Sequence, residues 1–280
     1  MHTSIAGGLH KSMERIAALG CNTVQIFSHN PRGWGLGERS RDDVFSFRKL
    51  KKEYDITPAF IHTSYLINLA SSDRRLIRKS IDMVIAEMQI ADAIGAEYVV
   101  LHTGSASGDD PKTARKRAAD CLKEVSKKGE WQAGLLLENT AGERGDITSR
   151  VGEIAEIMEK VSGDLIAGIC LDTCHAFSAG YNIRADKDIS LLINEIEKFI
   201  GPDKIRLIHL NDSKGGLGSG LDRHAHIGEG EIGLKGISKF INNPYFHDIP
   251  LILETPKKSE EDDPRNIRLV KKISRQRIRS

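Results

Sequence analysis

Short apolar runs alternate with longer amphipathic stretches along the whole chain. The runs are TVQIF (23–27), TPAFIH (57–62), EYVVLH (97–102), AGLLLEN (133–139), AGICLD (167–172), IRLIHLND (205–212) and IPLILE (249–254). None alternates polar with apolar residues. Each is a continuous block rich in Val, Ile or Leu, the pattern of a parallel strand covered on both faces. The intervening stretches repeat apolar residues at helical spacing, as in RRLIRKSIDMVIAEMQIADAIGA (74–96) and RVGEIAEIMEKVSG (150–163). Gly95, Gly163 and Gly201 fall where these helices are expected to stop.

Such β-α alternation predicts a parallel sheet with right-handed crossovers. Successive strand ends lie about one βα unit apart, and 280 residues hold about eight such units. The expected architecture is therefore α/β, a single (β/α)8 TIM barrel occupying 1–280 as one domain. Seven strands are visible, and the missing one is the first. Only Met1 to Ser4 precede the loop and first helix, AGGLHKSMERIAALG. The first strand is accordingly expected to be truncated to a stub of one to three residues, with His2 facing the rim and with locally weak flanking strands at 23–27 and 250–253. The acidic-then-basic tail from Glu260 to Ser280 reads as a final helix.

Composition narrows this picture without redirecting it. Forty-one Lys plus Arg against 39 Asp plus Glu leave a net charge of +2, so any polyanion would be met by a local group of cations. No run approaches the roughly 20 apolar residues of a membrane span. The four cysteines (Cys21, Cys121, Cys170, Cys174) form no C-x-x-C pair, and no signal segment opens the chain. A reduced, cytoplasmic, monomeric protein is expected, with Cys170 and Cys174 as small packing residues.

The chemistry is concentrated at the strand ends. Six consecutive predicted strands finish in His62, His102, Glu138, Asp172, His209 and Glu254, each able to bind a metal. One histidine at a strand end is ordinarily a hydrogen-bonded rim residue. Six in register in a parallel barrel converge on the C-terminal face, where active sites are built. An ionised acid closing a buried run also costs several kcal/mol unless it meets a cation or a hydrogen-bond network. His175, three residues past Asp172, and the Asp222-x-His224 pair in DSKGGLGSGLDRHAHIGEGEIG (212–233) extend the set. Five His, two Asp and two Glu make a nitrogen-rich mixture that favours zinc, with manganese or iron also compatible. Nine ligands exceed one tetrahedral site, and a bridging carboxylate would allow three ions. Zinc clusters of this kind suit phosphoester hydrolysis. In SHNPRGWGLGERSR (28–41), Asn30, Arg32, Trp34, Arg39 and Arg41 combine phosphate-binding cations with a flat ring, and Tyr65 in HTSYLINLASSD adds a second possible wedge.

As a set, HTSIAGGL, FSHNPRGW, HTSYLINLAS, LHTGS, LLLENTAG, CLDTCHAFSAGY, HLNDSKGGLGSGLDRHAHIGEGEIG and PLILETP resemble the endonuclease IV family of zinc-dependent apurinic/apyrimidinic endonucleases. The resemblance implies a TIM barrel that cuts double-stranded DNA 5′ to an abasic site, leaving a 3′-hydroxyl and a 5′-deoxyribose phosphate, and that also acts as a 3′-phosphodiesterase. Three Zn2+ per chain are implied: His62 and His102 on one, Asp172, His209 and Glu254 on a second with Glu138 bridging, and His175, Asp222 and His224 on the third. Glu138 would orient or deprotonate the attacking water, and Arg32 and Tyr65 would enter the minor groove, with Asn30 a further DNA-binding candidate. Pro31 and Gly33 depart from the family pattern, where polar side chains are familiar. Two other readings remain at this stage: a divalent-metal sugar isomerase or epimerase on the same barrel, and a protein that binds abasic DNA without cutting it.

Overall fold

The apolar blocks form strands and the amphipathic stretches form helices that cover them. In the computed structural model, which describes residues 1–37 and 39–274, the chain runs β1 (His2–Thr3), α1 (Leu9–Ala18), β2 (Val24–Phe27), α2 (Arg41–Glu53), β3 (Ala59–His62), α3 (Arg74–Ile94), β4 (Tyr98–Leu101), α4 (Pro111–Ser126) and β5 (Gly134–Glu138). It continues through α5 (Val151–Lys160), β6 (Ile166–Asp172), α6 (Thr173–Ser178), α7 (Asp186–Phe199) and β7 (Ile205–His209). The short strands β8 (Asp212–Ser213) and β9 (His224–Ala225), then α8 (Gly233–Ile241), β10 (Leu251–Ile252) and α9 (Asp262–Ile273), complete it. Strands β1 to β7 and β10 form one parallel sheet in chain order, the nearly closed (β/α)8 barrel that the pattern predicts, while β8 and β9 pair antiparallel as a separate ribbon. The expected C-terminal helix is present as α9, and its expected continuation over 275–280 lies outside the described residues.

The first strand is two residues long, within the stub expected. His2 pairs with Gln25 and Thr3 with Ile26, and the Gln25 amide donates to the Met1 carbonyl at 3.1 Å. The His2 ring lies 4.5 Å from that of Phe27 and 6.3 Å from that of His62. Two strand ends need correction. Strand β4 stops at Leu101 and β10 at Ile252, so His102 and Glu254 follow the paired segments and do not close them. At Glu254 the reason is local: its amide donates to the Asn211 side-chain oxygen at 2.9 Å in place of a ladder partner.

The chain divides into two compact units, Met1–Glu138 with Glu156–Ile169, and Asn139–Ala155 with Cys170–Ser280. The first buries Ile26, Phe60, Ile61, Val100 and Leu136 on its strands and Met13, Phe47, Val84 and Met88 on its helices. The second buries Leu171, Leu207, Ile208 and Ile252 together with Phe177, Leu192, Ile237 and Phe240. Each such side chain contributes about 1.5–3 kcal/mol of hydrophobic stabilisation relative to exposure.

Helix α3 shows how local sequence sets these elements. Asp73 caps its N-terminus, accepting from the amides of Arg75 at 2.8 Å and Leu76 at 3.4 Å. Gly95 ends it in the left-handed conformation (φ 70°), where a Cβ would be strained. Its buried face is Ile81, Met83, Val84, Met88, Ile90, Ala91 and Ile94, with Ser80 and Glu87 set among them. Replacing Asp73 by Ala is expected to lower unfolding free energy by about 1 kcal/mol, and Gly95→Ala by about the same. Urea titration should show both as a lower midpoint with an unchanged slope.

Candidate metal centre

In the first unit, β3 and β5 bring His62 and Glu138 together. The His62 Nδ1 lies 2.8 Å from the Thr63 carbonyl, which can only accept, so this nitrogen carries the proton. The lone pair is then on Nε2, which faces Glu138 Oε2 at 3.3 Å. His102 brings its own Nε2 to 3.0 Å from the same oxygen, with the two rings 5.3 Å apart. Glu138 is completely buried. With a neutral ring this approach sets a lone pair against a carboxylate oxygen, an arrangement that a shared cation, a proton or a metal ion, would stabilise.

The second unit repeats the device twice. His175 donates from Nδ1–H to the Asn139 carbonyl at 2.8 Å, leaving Nε2 3.2 Å from Asp222 Oδ1. His224 donates from Nδ1–H to the Glu254 carbonyl at 3.0 Å. Its Nε2 is buried without a hydrogen-bond partner among the described residues, 3.5 Å from Asp222 Oδ1 and 3.7 Å from Asp172 Oδ2. His209 Nδ1 lies 3.2 Å from Glu254 Oε2 and 3.9 Å from Asp172 Oδ2. Donors held about 2.0–2.2 Å from one tetrahedral ion stand about 3.3–3.6 Å apart. The observed spacings cluster around that value, and the nitrogen-rich donor set suits zinc.

Asparagines aim these ligands. Asn211 donates to Asp172 Oδ2 at 2.6 Å and accepts the Glu254 amide, so one buried side chain orients two acids. Asn139 clamps the Asp172 backbone, accepting its amide at 2.7 Å and donating to its carbonyl at 3.1 Å. Asp172 also caps α6 by accepting the His175 amide at 2.8 Å, which sets the three-residue spacing between them. Cys170 and Cys174, expected as small packing residues, are both buried, and each lies within 4.8 Å of two candidate ligands. Burial pushes the Cys174 thiol up to about 12, with Asp172 adding to the effect, and its Sγ–H points to the Arg223 carbonyl at 3.7 Å.

One residue that sequence reasoning passed over is Asp212. Its fully buried carboxylate accepts the amides of Ser213, Gly228, Gly230, Ile232 and Gly233 at 2.8–3.3 Å. The segment IGEGEIG is thus wrapped around one acid, and a Cβ at Gly230 would collide with the Ser213 carbonyl and the Asp212 carboxylate. This anchors the chain just beyond the Asp222-x-His224 pair. An acid three residues past a strand-end histidine, followed by spaced glycines, was the available signal.

The loop candidates share one acceptor. The Pro31 carbonyl receives both the Ser64 hydroxyl at 2.8 Å and the Tyr65 amide at 3.2 Å. Asn30 Oδ1 accepts the Arg32 amide at 3.1 Å, so in this structure the Asn30 side chain shapes the turn that presents Arg32. Arg32 is exposed, and Tyr65 is 62% exposed with its ring edge-on to Phe27 at 5.1 Å.

Residues 13–273 match the family described as xylose isomerase-like TIM barrel. A "Probable endonuclease 4" of Halothermothrix orenii is 44% identical over 98% of this chain and 98% of its own. Another, of Methanosphaerula palustris, is 39% identical over 98% of this chain and 97% of its own. The crystal structure of endonuclease IV from Thermus thermophilus superimposes with a TM-score of 0.86 at 35% identity, covering 98% of this chain and 97% of that one.

Replacing Asp212 by Ala strands several buried amides and is expected to destabilise the protein by on the order of 3 kcal/mol. Hydrogen exchange should show the loss of protection concentrated at 226–233. Wild-type protection there would remove the anchoring role.

Proposed function

The chain belongs to the endonuclease IV family, and on that premise we propose that it is a metal-dependent DNA-repair nuclease that hydrolyses the phosphodiester 5′ to an abasic site, leaving a 3′-hydroxyl and a 5′-deoxyribose phosphate. The observation that carries the reading is His224. Its Nδ1 proton is committed to the Glu254 carbonyl, while its buried Nε2 lacks a hydrogen-bond partner among the described residues and looks toward Asp222 and Asp172. A buried lone pair aimed at carboxylates suits a metal ligand far better than a packing residue.

The proposed centre takes three zinc ions per chain. His62 and His102 would hold one, Asp172, His209 and Glu254 a second, and His175, Asp222 and His224 the third, with Glu138 available to the first two. When bound, these ions polarise the phosphate and neutralise charge on the attacking and leaving oxygens. The chain's own residues do the rest. Glu138 Oε2 orients the attacking water and accepts its proton, a role matched to a buried carboxylate flanked by His62 and His102. Arg32 and Tyr65 enter the minor groove beside the lesion, with Asn30 as a further DNA contact. We extend the reading to removal of 3′-blocking groups, since a 3′-phosphoester presents the same bond to the same groups. The whole chain serves as one domain, a cytoplasmic monomer acting on abasic duplex DNA. Among the described residues, no helix is long and apolar enough to cross a membrane. The isomerase alternative would want a carboxylate-dominated site, whereas five of the nine candidate ligands here are histidines.

Protein purified without chelator should carry about three zinc ions per chain by elemental analysis, and it should nick an abasic duplex without added magnesium. A stoichiometry near one would overturn the trinuclear centre. Exhaustive chelation should abolish nicking, with zinc restoring it.

Glu138→Gln removes the proton acceptor but no DNA-facing loop. Turnover should fall by at least about 100-fold while abasic-DNA binding stays measurable by gel shift. Turnover close to wild type would take Glu138 out of the reaction. Arg32→Ala and Tyr65→Ala should instead lower preference for abasic over intact duplex by about tenfold each, with zinc content unchanged.

A further inference from the structure

Helix α3 buries an acid on its apolar face. Glu87 is fully inaccessible, among Val84, Met88 and Ala91, at a position where helical spacing calls for an apolar side chain. Burying an unpaired carboxylate costs several kcal/mol, so its retention needs a reason. Burial pushes its pKa up to about 8, against the opposing effects of the Ser64 amide and the Arg39 guanidinium, so near neutrality it is mostly the neutral acid.

The surroundings of Glu87 supply the reason. Its Oε1 accepts the Ser64 amide at 3.2 Å and lies 3.4 Å from His29 Nδ1. His29 is buried, 3.0 Å from the Ser28 hydroxyl, and the Ser28 carbonyl accepts from the Arg39 guanidinium. Glu87 Oε2 and His29 Nε2 have no hydrogen-bond partner among the described residues. The acid therefore sits where the loop after β2, carrying His29 to Arg39, meets the loop after β3, carrying Ser64 and Tyr65. Ser64 and Tyr65 in turn hold the Pro31 carbonyl, one residue before Arg32. A short chain of hydrogen bonds thus runs from Glu87 through Ser64 to the Pro31 carbonyl and on to the Tyr65 amide, backbone positions at or next to the exposed Arg32 and Tyr65. None of these contacts includes a candidate metal ligand.

We propose that Glu87 is a positioning residue for lesion recognition: with His29 and the Ser64 amide it fixes the spacing of Arg32 and Tyr65 before DNA arrives. This rests on the reading of those two residues as DNA contacts. Loops ordered in advance lose less conformational entropy on binding, so the benefit falls on substrate capture and lesion preference and not on the chemical step. A residue serving stability alone would change the melting temperature and leave both untouched.

The test uses the full-length zinc-loaded protein with Glu87→Ala and Glu87→Gln. The amide keeps an oxygen for the Ser64 N–H and imitates the neutral acid, whereas Ala leaves that amide stranded. Expected for Ala is a KM for abasic duplex raised about tenfold, a similar loss of preference over intact duplex, and kcat and zinc content within about twofold of wild type. Gln should stay within about twofold of wild type in every parameter. Ala with wild-type KM and preference, Gln as impaired as Ala, or a loss confined to kcat would each overturn the proposal. If Ala does not fold, Ser64→Ala breaks the next link and must raise KM in the same way. A readout free of DNA separates this inference from the nuclease reading. With Trp131→Phe, Trp34 in the first loop is the remaining tryptophan, its ring 5.7 Å from the Lys79 ammonium of α3. Its fluorescence anisotropy should fall in Glu87→Ala and recover in Glu87→Gln. Wild-type protein that cuts no abasic duplex would refute the nuclease reading, while an anisotropy unmoved by Glu87→Ala would refute the positioning role.

Discussion

A main-chain carbonyl facing an imidazole Nδ1 is the interaction on which the candidate centre depends. It occurs at His62 with Thr63, at His175 with Asn139 and at His224 with Glu254. Each carbonyl accepts a hydrogen bond from Nδ1–H and so, in the neutral ring, leaves the lone pair on Nε2, turned toward an acid. Ring orientation and tautomer are thereby set by backbone, which is held by the barrel, and not by mobile side chains. The acids receive the same treatment from Asn139 and Asn211, whose amides orient Asp172 and the Glu254 backbone. Imidazole nitrogens and carboxylate oxygens are thereby brought together at the spacing that a bound cation would use.

The same economy appears in the loops. Asp212 collects five amides and turns a glycine-rich stretch into a defined bend, while the Pro31 carbonyl ties two loops together at one point. Short loops on rigid strands would otherwise be the softest parts of such a barrel. Here each is pinned by a buried polar group, and the pinning leaves Tyr65 and Arg32 outward.

Where sequence reasoning succeeded, the signal was periodic or local. Continuous apolar blocks marked β2 to β7 because strands buried on both faces cannot alternate, and His62, Glu138, Asp172 and His209 do close their strands. His102 and Glu254 were assigned to strand ends that stop earlier, since the apolar run continues past the last ladder bond. The sequence alone assigned no role to Asp212 or to Glu87. Their roles depend on amides from other segments, which no local window contains.

The sequence by itself determined the β-α alternation, the barrel class and the identity of the candidate ligands, because these follow from hydrophobic period and from residue chemistry at element ends. Tertiary structure alone decided which nitrogen of each histidine faces an acid, which backbone groups Asp212 gathers and which face of α3 carries Glu87 inward. The physical reason is range. Period and propensity act over a few neighbouring residues, whereas a hydrogen bond such as that from Ser64 to Glu87 joins positions brought within about 3 Å only when strands and helices have packed.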